Sequence, residues 1–199
     1  MNEIKKAFRN KIVLVTGGTG SIGSEIVKQI LKYEPTLVRI LSNDEASLFN
    51  SQQELVKFKN VRYLLGDVRQ KERLKVAMED VDFVFHAAAL KHVPLCEYNP
   101  FEAINTNVIG SQNVVEAAMT NNVKKCIFIS TDKAVNPTSV LGATKLLAER
   151  LFIVANYYKG WSDTTFSVIR FGNVLNSRGS IIPLLKNQIA TGGPVTITN

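Results

Sequence analysis

The stretch Ile12-Val13-Leu14-Val15-Thr16-Gly17-Gly18-Thr19-Gly20-Ser21-Ile22-Gly23 decides the fold. Its four leading apolar residues read as a buried strand. Beyond the glycines, Ile22, Ile26, Val27, Ile30 and Leu31 recur at helical spacing, and Pro35 closes the segment. Glycines at 17, 20 and 23 thus sit directly between a strand and a helix, the context that gives such a fingerprint its meaning. One glycine permits the tight turn, one lets a pyrophosphate approach the backbone, and one lets helix and strand pack closely. The N–H groups at the start of the helix then face the phosphate charge. Gly17, Thr19, Gly20, Ser21, Ile22 and Gly23 are therefore expected to cradle a dinucleotide.

Outward from this turn, short apolar runs alternate with helical patterns. Strands are expected at Leu37–Leu41, Val61–Leu65, Val81–Phe85, Cys126–Ser130 and Thr165–Arg170. Helices are expected in the polar stretch through Lys57, near Lys71–Met78, over Phe101–Asn121 and over Leu141–Tyr158. This alternation predicts an α/β fold, a doubly wound parallel sheet covered on both faces. Residues 1–199 read as one nucleotide-cofactor domain, with 173–199 the beginning of a substrate-binding part. The final Gly192-Gly193-Pro194-Val195-Thr196-Ile197-Thr198-Asn199 reads as a turn and the start of a further strand, which marks the chain as a fragment in this reading.

The formal net charge is +7, but the basic residues are spread along the chain and form no stripe, so nucleic acid is not expected. A bias toward small polyanions accounts for the charge equally well. No apolar run approaches the ~20 residues needed to span a bilayer. The polar start lacks the features of a signal peptide, so a cytoplasmic location is expected. Cys126, in an apolar run, reads as a reduced core thiol. The two cysteines and two histidines give no metal or disulfide pattern.

The end of the second strand usually carries an acid for the adenosine ribose. Here the order is Leu41-Ser42-Asn43-Asp44-Glu45, so a neutral Ser42 takes that place. It removes the repulsion a 2′-phosphate would feel, and NADP is favoured over NAD. Asp44 remains within reach of a ribose. Asp67, after the third strand, can accept a bond from an adenine amino group or can cap the following helix. Asn43 and Val68 belong to the same expected adenosine end.

Further elements carry a family resemblance. Thr16–Gly23, His86-Ala87-Ala88-Ala89-Leu90-Lys91-His92-Val93-Pro94, Ser130-Thr131-Asp132-Lys133-Ala134, Asn136-Pro137, Gly142-Ala143-Thr144-Lys145 and Arg170-Phe171-Gly172-Asn173-Val174-Leu175 resemble the polysaccharide-biosynthesis branch of extended short-chain dehydrogenases. That branch includes UDP-N-acetylglucosamine 4,6-dehydratases. The resemblance implies dehydration of a UDP-sugar with no net redox change: hydride leaves C4, water leaves across C5 and C6, and hydride returns to C6. It also implies that Asp132 protonates the departing hydroxyl, that Lys133 removes the C5 proton, and that Thr131 lies near the C4 hydroxyl. Without it, adjacent Asp132 and Lys133 read more readily as a solvated ion pair on a loop.

In the superfamily pattern a tyrosine stands four residues before Lys145, and here that residue is Leu141, which takes no proton. Within the branch this leans toward retention at C5. Lys145 is expected to bond the nicotinamide ribose and to hold positive potential over the site. Ala87, Ala88, Ala89 and Lys91 fall on the expected cofactor. Lys91 and His92 read as sugar or phosphate contacts, or as an exposed polar loop. Asn173, Ser177, Arg178 and Ser180 are expected to line the nucleotide-sugar side, with Arg178 suited to a diphosphate. Asn107 either braces the site from its helix or is a structural asparagine. A homo-oligomer is expected. Two other readings stay open: a UDP-hexose 4-epimerase, and a non-catalytic NADP-binding sensor or scaffold.

Overall fold

A computed structural model describes residues 2–175, 177 and 181–195. Six strands form one parallel sheet: β1 (Ile12–Thr16), β2 (Leu37–Ser42), β3 (Val61–Leu65), β4 (Phe83–His86), β5 (Lys125–Thr131) and β6 (Thr165–Phe171). Their spatial order is β3-β2-β1-β4-β5-β6. β1 pairs with β2 from Ile12↔Leu37 and with β4 from Val13↔Phe83. The chain therefore reverses its direction of winding between β1 and β4. In such sheets that switch point opens a crevice at the carboxyl ends of the strands.

Two apolar cores lie on the two faces. One gathers Leu14, Leu41, Val84, Cys126, Phe128 and Phe152 beneath α4 (Lys71–Ala77), α7 (Gly110–Thr120) and α8 (Val140–Tyr158). The other gathers Val13, Val15, Val27, Ile30, Val38 and Ile40 beneath α2 (Ser21–Leu31) and α3 (Glu45–Glu54). Alternate residues of β1 thus serve opposite cores, as a strand buried on both faces requires.

Several expected boundaries shift. β4 begins at Phe83, because the Asp82 side chain accepts from the Ile12 N–H at 3.0 Å and ties off the preceding loop. The helix expected over Phe101–Asn121 is composite: α6 (Pro100–Ala103), a π-helical turn (Ile104–Ile109) and then α7. Three helices were not anticipated from periodicity: α1 (Asn2–Phe8), α5 (Val93–Tyr98) and α9 (Ile181–Ala190). α1 is fixed by Phe8, whose ring lies 5.3 Å from that of Phe83. The expected turn at Gly192 is present, with Gly192 at φ +70°. The strand expected after it runs into residues 196–199, outside the described ones, as do Arg178 and Ser180.

Candidate active site

β1 delivers the chain into a turn that only glycines can make. Gly17 has φ +65°, and a Cβ there would stand 2.7 Å from the Ala88 nitrogen. A Cβ on Gly23 would fall 2.2 Å from the Gly17 carbonyl oxygen. The turn is therefore pressed against both its own helix and the segment after β4. Gly20 N donates to Gly17 O at 3.0 Å, leaving the first turn of α2 facing the crevice.

The crevice is an open cleft of about 840 Å³. Gly17, Thr19, Gly20, Ser21, Ile22 and Gly23 line one end with Ser42, Asn43, Asp67 and Val68. Ala87, Ala88, Ala89, Lys91 and His92 line its middle, and Thr131, Lys133, Lys145, Asn173 and Ser177 its far end. Asp132, between Thr131 and Lys133 in the chain, is exposed and is not among the residues that line the cleft. Leu141 lines the cleft one helical turn before Lys145.

At the adenosine end, the Thr19 hydroxyl donates to Ser42 Oγ at 3.0 Å, and Ser42 also accepts from Asp44 N. Asp44 is the N-cap of α3, accepting from the Ser47 N–H and hydroxyl. Asp67 does not cap α4, whose N-cap is Gln70. Its carboxylate is gripped by Arg69 through Nε at 3.0 Å and Nη2 at 2.8 Å and accepts from Asn43 Nδ2. The Arg69 bonds lead in holding the Asp67 carboxyl below its usual range. Arg69 and its partner Glu102 line the cleft too, and neither was marked by the sequence motifs.

Behind the middle of the cleft runs a buried chain of hydrogen bonds. Thr16 Oγ1 meets His86 Nδ1 at 2.7 Å, His86 Nε2 meets Ser111 Oγ at 3.1 Å, and Ser111 donates to Asn107 O at 2.6 Å. Because the Ser111 proton is spent on Asn107, its oxygen accepts from His86 Nε2–H, and Nδ1 accepts from Thr16. The imidazole is neutral: burial, with the nearby Lys145 charge, pushes its pKa down to about 3. Asn107 then clasps the loop after β4, accepting from Leu90 N at 2.9 Å and donating to Leu90 O at 3.1 Å. It also donates to Thr144 Oγ1 on α8. Asn107 is thus a brace, and the π-helical turn is what carries it inward. Nothing in the residue pattern flags a π turn.

At the far end, Thr131 Oγ1 donates to Asp132 Oδ1 at 2.9 Å, and Lys133 Nζ reaches Asp132 Oδ1 at 3.2 Å and Asn173 Oδ1 at 3.0 Å. The bonds from Thr131 and then Lys133 hold the Asp132 carboxyl below its usual range. Lys145 is 6 % exposed; its Nζ donates to Ile129 O at 2.6 Å and lies 4.0 Å from the centre of the Phe128 ring. Four residues on, buried Glu149 takes a two-pronged contact from Arg170 of β6, at 2.9 and 2.6 Å. The Ser130 hydroxyl between them is buried and lacks a well-formed partner. Among the described residues no cluster of His, Cys, Asp and Glu can hold a metal ion, and both cysteines are buried thiols.

Fold and cleft together define an extended short-chain dehydrogenase of the Rossmann type. Residues 13–199 match the model of a family described as polysaccharide biosynthesis protein, and the chain belongs to that family. A Methanocaldococcus jannaschii protein described as an uncharacterized membrane protein is 64% identical over 197 residues, 99% of this chain and 59% of that one. A Campylobacter jejuni UDP-N-acetylglucosamine 4,6-dehydratase (inverting) is 52% identical over 201 residues, covering 96% and 58%. A Rickettsia canadensis UDP-glucose 4-epimerase is 44% identical over 195 residues, covering 96% and 57%. The X-ray structure of Pen from Bacillus thuringiensis superposes with a TM-score of 0.95 at 51% identity, over 96% of this chain and 61% of that one. The chain therefore spans somewhat under two thirds of the length of these relatives. Among the described residues no helix is long and apolar enough to cross a membrane.

Proposed function

We propose that this chain is the cofactor-binding part of a nucleotide-sugar 4,6-dehydratase acting on UDP-N-acetylglucosamine to give a UDP-4-keto-6-deoxy sugar for glycan precursor synthesis. The observation that carries the reading is one cleft running from the glycine turn to the Thr131-Asp132-Lys133 turn, where Lys133 already bonds Asn173. The names of the Campylobacter relatives support the chemistry.

A nicotinamide dinucleotide fits the residues present: the cradle at Gly17, Gly20 and Gly23 is one that side chains would fill. When bound it would supply hydride acceptance and return. Thr19, Ser21 and the α2 N-terminus would hold its pyrophosphate, and Lys145 its nicotinamide ribose. NADP is favoured by Ser42 and by a hydroxyl-lined recess of about 220 Å³ beside it, bordered by Thr19, Ser24, Ser47 and Ser51. Glu54, at that recess, is paired with Lys28. In the reaction Lys133 would take the C5 proton, and Asp132, once protonated, would hand a proton to the departing C6 hydroxyl. Lys91, His92, Asn173, Ser177, Arg178 and Ser180 would hold the nucleotide sugar. Leu141 favours retention at C5, the opposite outcome to the inversion named for the Campylobacter relatives. Exposed large apolar residues, Tyr98 and Phe101 on α5 and α6 and Leu147 and Tyr157 on α8, support a homo-oligomer, and the reading places it in the cytoplasm.

The test is the intact mass of UDP-N-acetylglucosamine after incubation with the protein and NAD or NADP. Loss of one water with no net cofactor reduction is expected. Conversion to UDP-N-acetylgalactosamine at unchanged mass would refute the dehydratase and favour the epimerase, the reading that the Rickettsia relatives support. Cofactor binding with no turnover of any UDP-sugar by a longer chain would favour a sensor.

A further inference from the structure

Lys145 is the one buried titratable side chain among the described residues lining the cleft; the other ionisable groups along it are partly or fully exposed. Its partners can be counted. An ammonium has three N–H groups to satisfy, whereas a neutral amine has two and a lone pair. The structure offers one oxygen, Ile129 O, and one ring face, that of Phe128. These match the two N–H groups of the neutral amine, and the third direction on the nitrogen is left to the cleft that Lys145 lines. That third direction carries the lone pair in the neutral amine and an N–H open to the cleft in the ammonium. The side chain at the position a turn earlier, Leu141, has no proton to exchange. The neighbouring hydroxyl of Thr131 is occupied, donating to Asp132 and accepting from the Lys133 N–H.

We propose that Lys145, as the neutral amine, is the general base that takes the hydroxyl proton from the sugar carbon undergoing oxidation. The assignment rests on the nucleotide-sugar reading above and goes beyond the role of ribose ligand. In the step, the sugar O–H bond breaks, its proton forms a third N–H on Nζ, and its electron pair becomes the second C=O bond. The C–H pair of the same carbon leaves as hydride to a bound nicotinamide dinucleotide, so the carbinol is oxidised to a ketone and the dinucleotide is reduced. The proton on Nζ then passes to solvent through the cleft that Lys145 lines.

The surroundings agree with this role. Glu149, on the same helix, favours the charged form, but its carboxylate is engaged by Arg170 from β6. His86 from β4 is neutral, and Lys133 and Asp132 from the turn after β5 pair with each other. Burial therefore prevails and brings Lys145 down to about 7. A base poised there can work at neutral pH.

Two measurements decide it. In the chain labelled with 13Cε-lysine, the resonance that vanishes in Lys145→Arg is expected to titrate near 7; a midpoint above about 9, close to that of a free lysine, overturns the assignment. In single-turnover mixing of the full chain with UDP-N-acetylglucosamine and NADP, nicotinamide reduction is expected to rise with pH and level off above about 7. Lys145→Arg retains N–H donors but cannot shed a proton, so with NADP held at saturation it is expected to slow that step about 100-fold or more and to abolish its rise with pH. Lys145→Met serves if the guanidinium does not fit. Adding Leu141→Tyr to Lys145→Arg is expected to recover part of the rate. If Lys145→Arg stays within about tenfold of wild type with an unchanged pH profile, the base is elsewhere and the dehydratase reading stands. If wild type dehydrates no UDP-sugar yet the amine titrates near 7, the dehydratase reading falls and the base assignment stands for another carbinol.

Discussion

Gly142→Ala puts two opposing effects on one carbon atom. Gly142 lies in the first turn of α8, and alanine there would gain about 1 kcal/mol of helix propensity over glycine. A Cβ at this position, however, would stand 2.3 Å from the Lys133 carbonyl oxygen and 2.9 Å from Pro137 Cβ. The first neighbour is backbone and cannot rotate away. Relieving the contact requires the Thr131–Ala134 turn and the start of α8 to separate by the better part of an ångström. Overpacking of this kind costs roughly 1–3 kcal/mol, and rigid backbone on both sides puts it at the upper end. The net expectation is destabilisation by about 2 kcal/mol. For a chain of this size that lowers Tm by roughly 4–8 °C, read by thermal circular dichroism. The same displacement moves Lys133 relative to Asn173, so turnover should fall about 100-fold, the cost associated with a 1 Å misplacement. A Gly142→Ala protein with a raised Tm would show that propensity wins and that the catalytic turn is not wedged against α8.

Other expectations are read in simpler assays. Because His86 has a folded-state pKa near 3, below its ordinary value, the unfolded chain binds the extra proton first as pH falls. Stability should therefore drop between about pH 6.5 and 3, by no more than about 1.4 kcal/mol per unit from this group, and His86→Gln should flatten that slope in urea titrations. Asn107→Ala strips both backbone bonds from Leu90 and should cost about 2–3 kcal/mol, with faster amide exchange at Leu90 as the local signature; unaltered exchange there would remove Asn107 as the brace. Burial raises the Asp82 carboxyl, but the bonds from Lys124, Ile12 N–H and Lys11 outweigh it and leave it below the usual range. Its stabilisation is present above the ordinary carboxyl pKa and is lost as pH falls through the lowered one, so Asp82→Asn should destabilise the protein at neutral pH and far less in acid. Ser42→Asp should weaken NADP binding about tenfold or more relative to NAD by calorimetry, since a carboxylate would face the 2′-phosphate; an unchanged ratio would show that Ser42 does not select the cofactor.

What the residue pattern revealed, and what it hid, follows from the range of the interactions involved. The strand–glycine–helix unit at Ile12–Leu31 is local, and hydrophobic periodicity with the spacing of three glycines was enough to place it. The doubly wound parallel sheet was legible because strands alternating with helices admit few right-handed windings, whereas the order of its strands came with the structure. α5 escaped notice because a six-residue helix between His92 and Asn99 has too few turns to show a period. α1 escaped because a single aromatic, Phe8, docks it. At the site, Thr131, Lys133, Lys145 and Asn173 line one cleft with the glycine turn, but the partners that set their surroundings come from far along the chain. Arg170 meets Glu149 across 21 residues, and His86 meets Thr16 across 70. Asp67 shows the same limit: as acceptor or helix cap it was ambiguous by sequence, and Arg69 two residues on resolved it into an ion pair.

The π-helical turn at Ile104–Ile109 amounts to one residue more than a regular helix needs to cover the same rise. That surplus acts as a phase shift. Within it, the chain turns Asn107 toward Leu90; downstream, it keeps step with the core, where Val114, Val115, Ala117 and Ala118 are buried. A deletion within the turn would let the helix run straight and rotate one half by about 100° against the other. Brace and core could then no longer be satisfied together. Substitutions here are graded in effect, but the length of this segment is all or none, and the tolerance of the whole site to insertion or deletion is lowest at a turn that meets the cleft through Thr106.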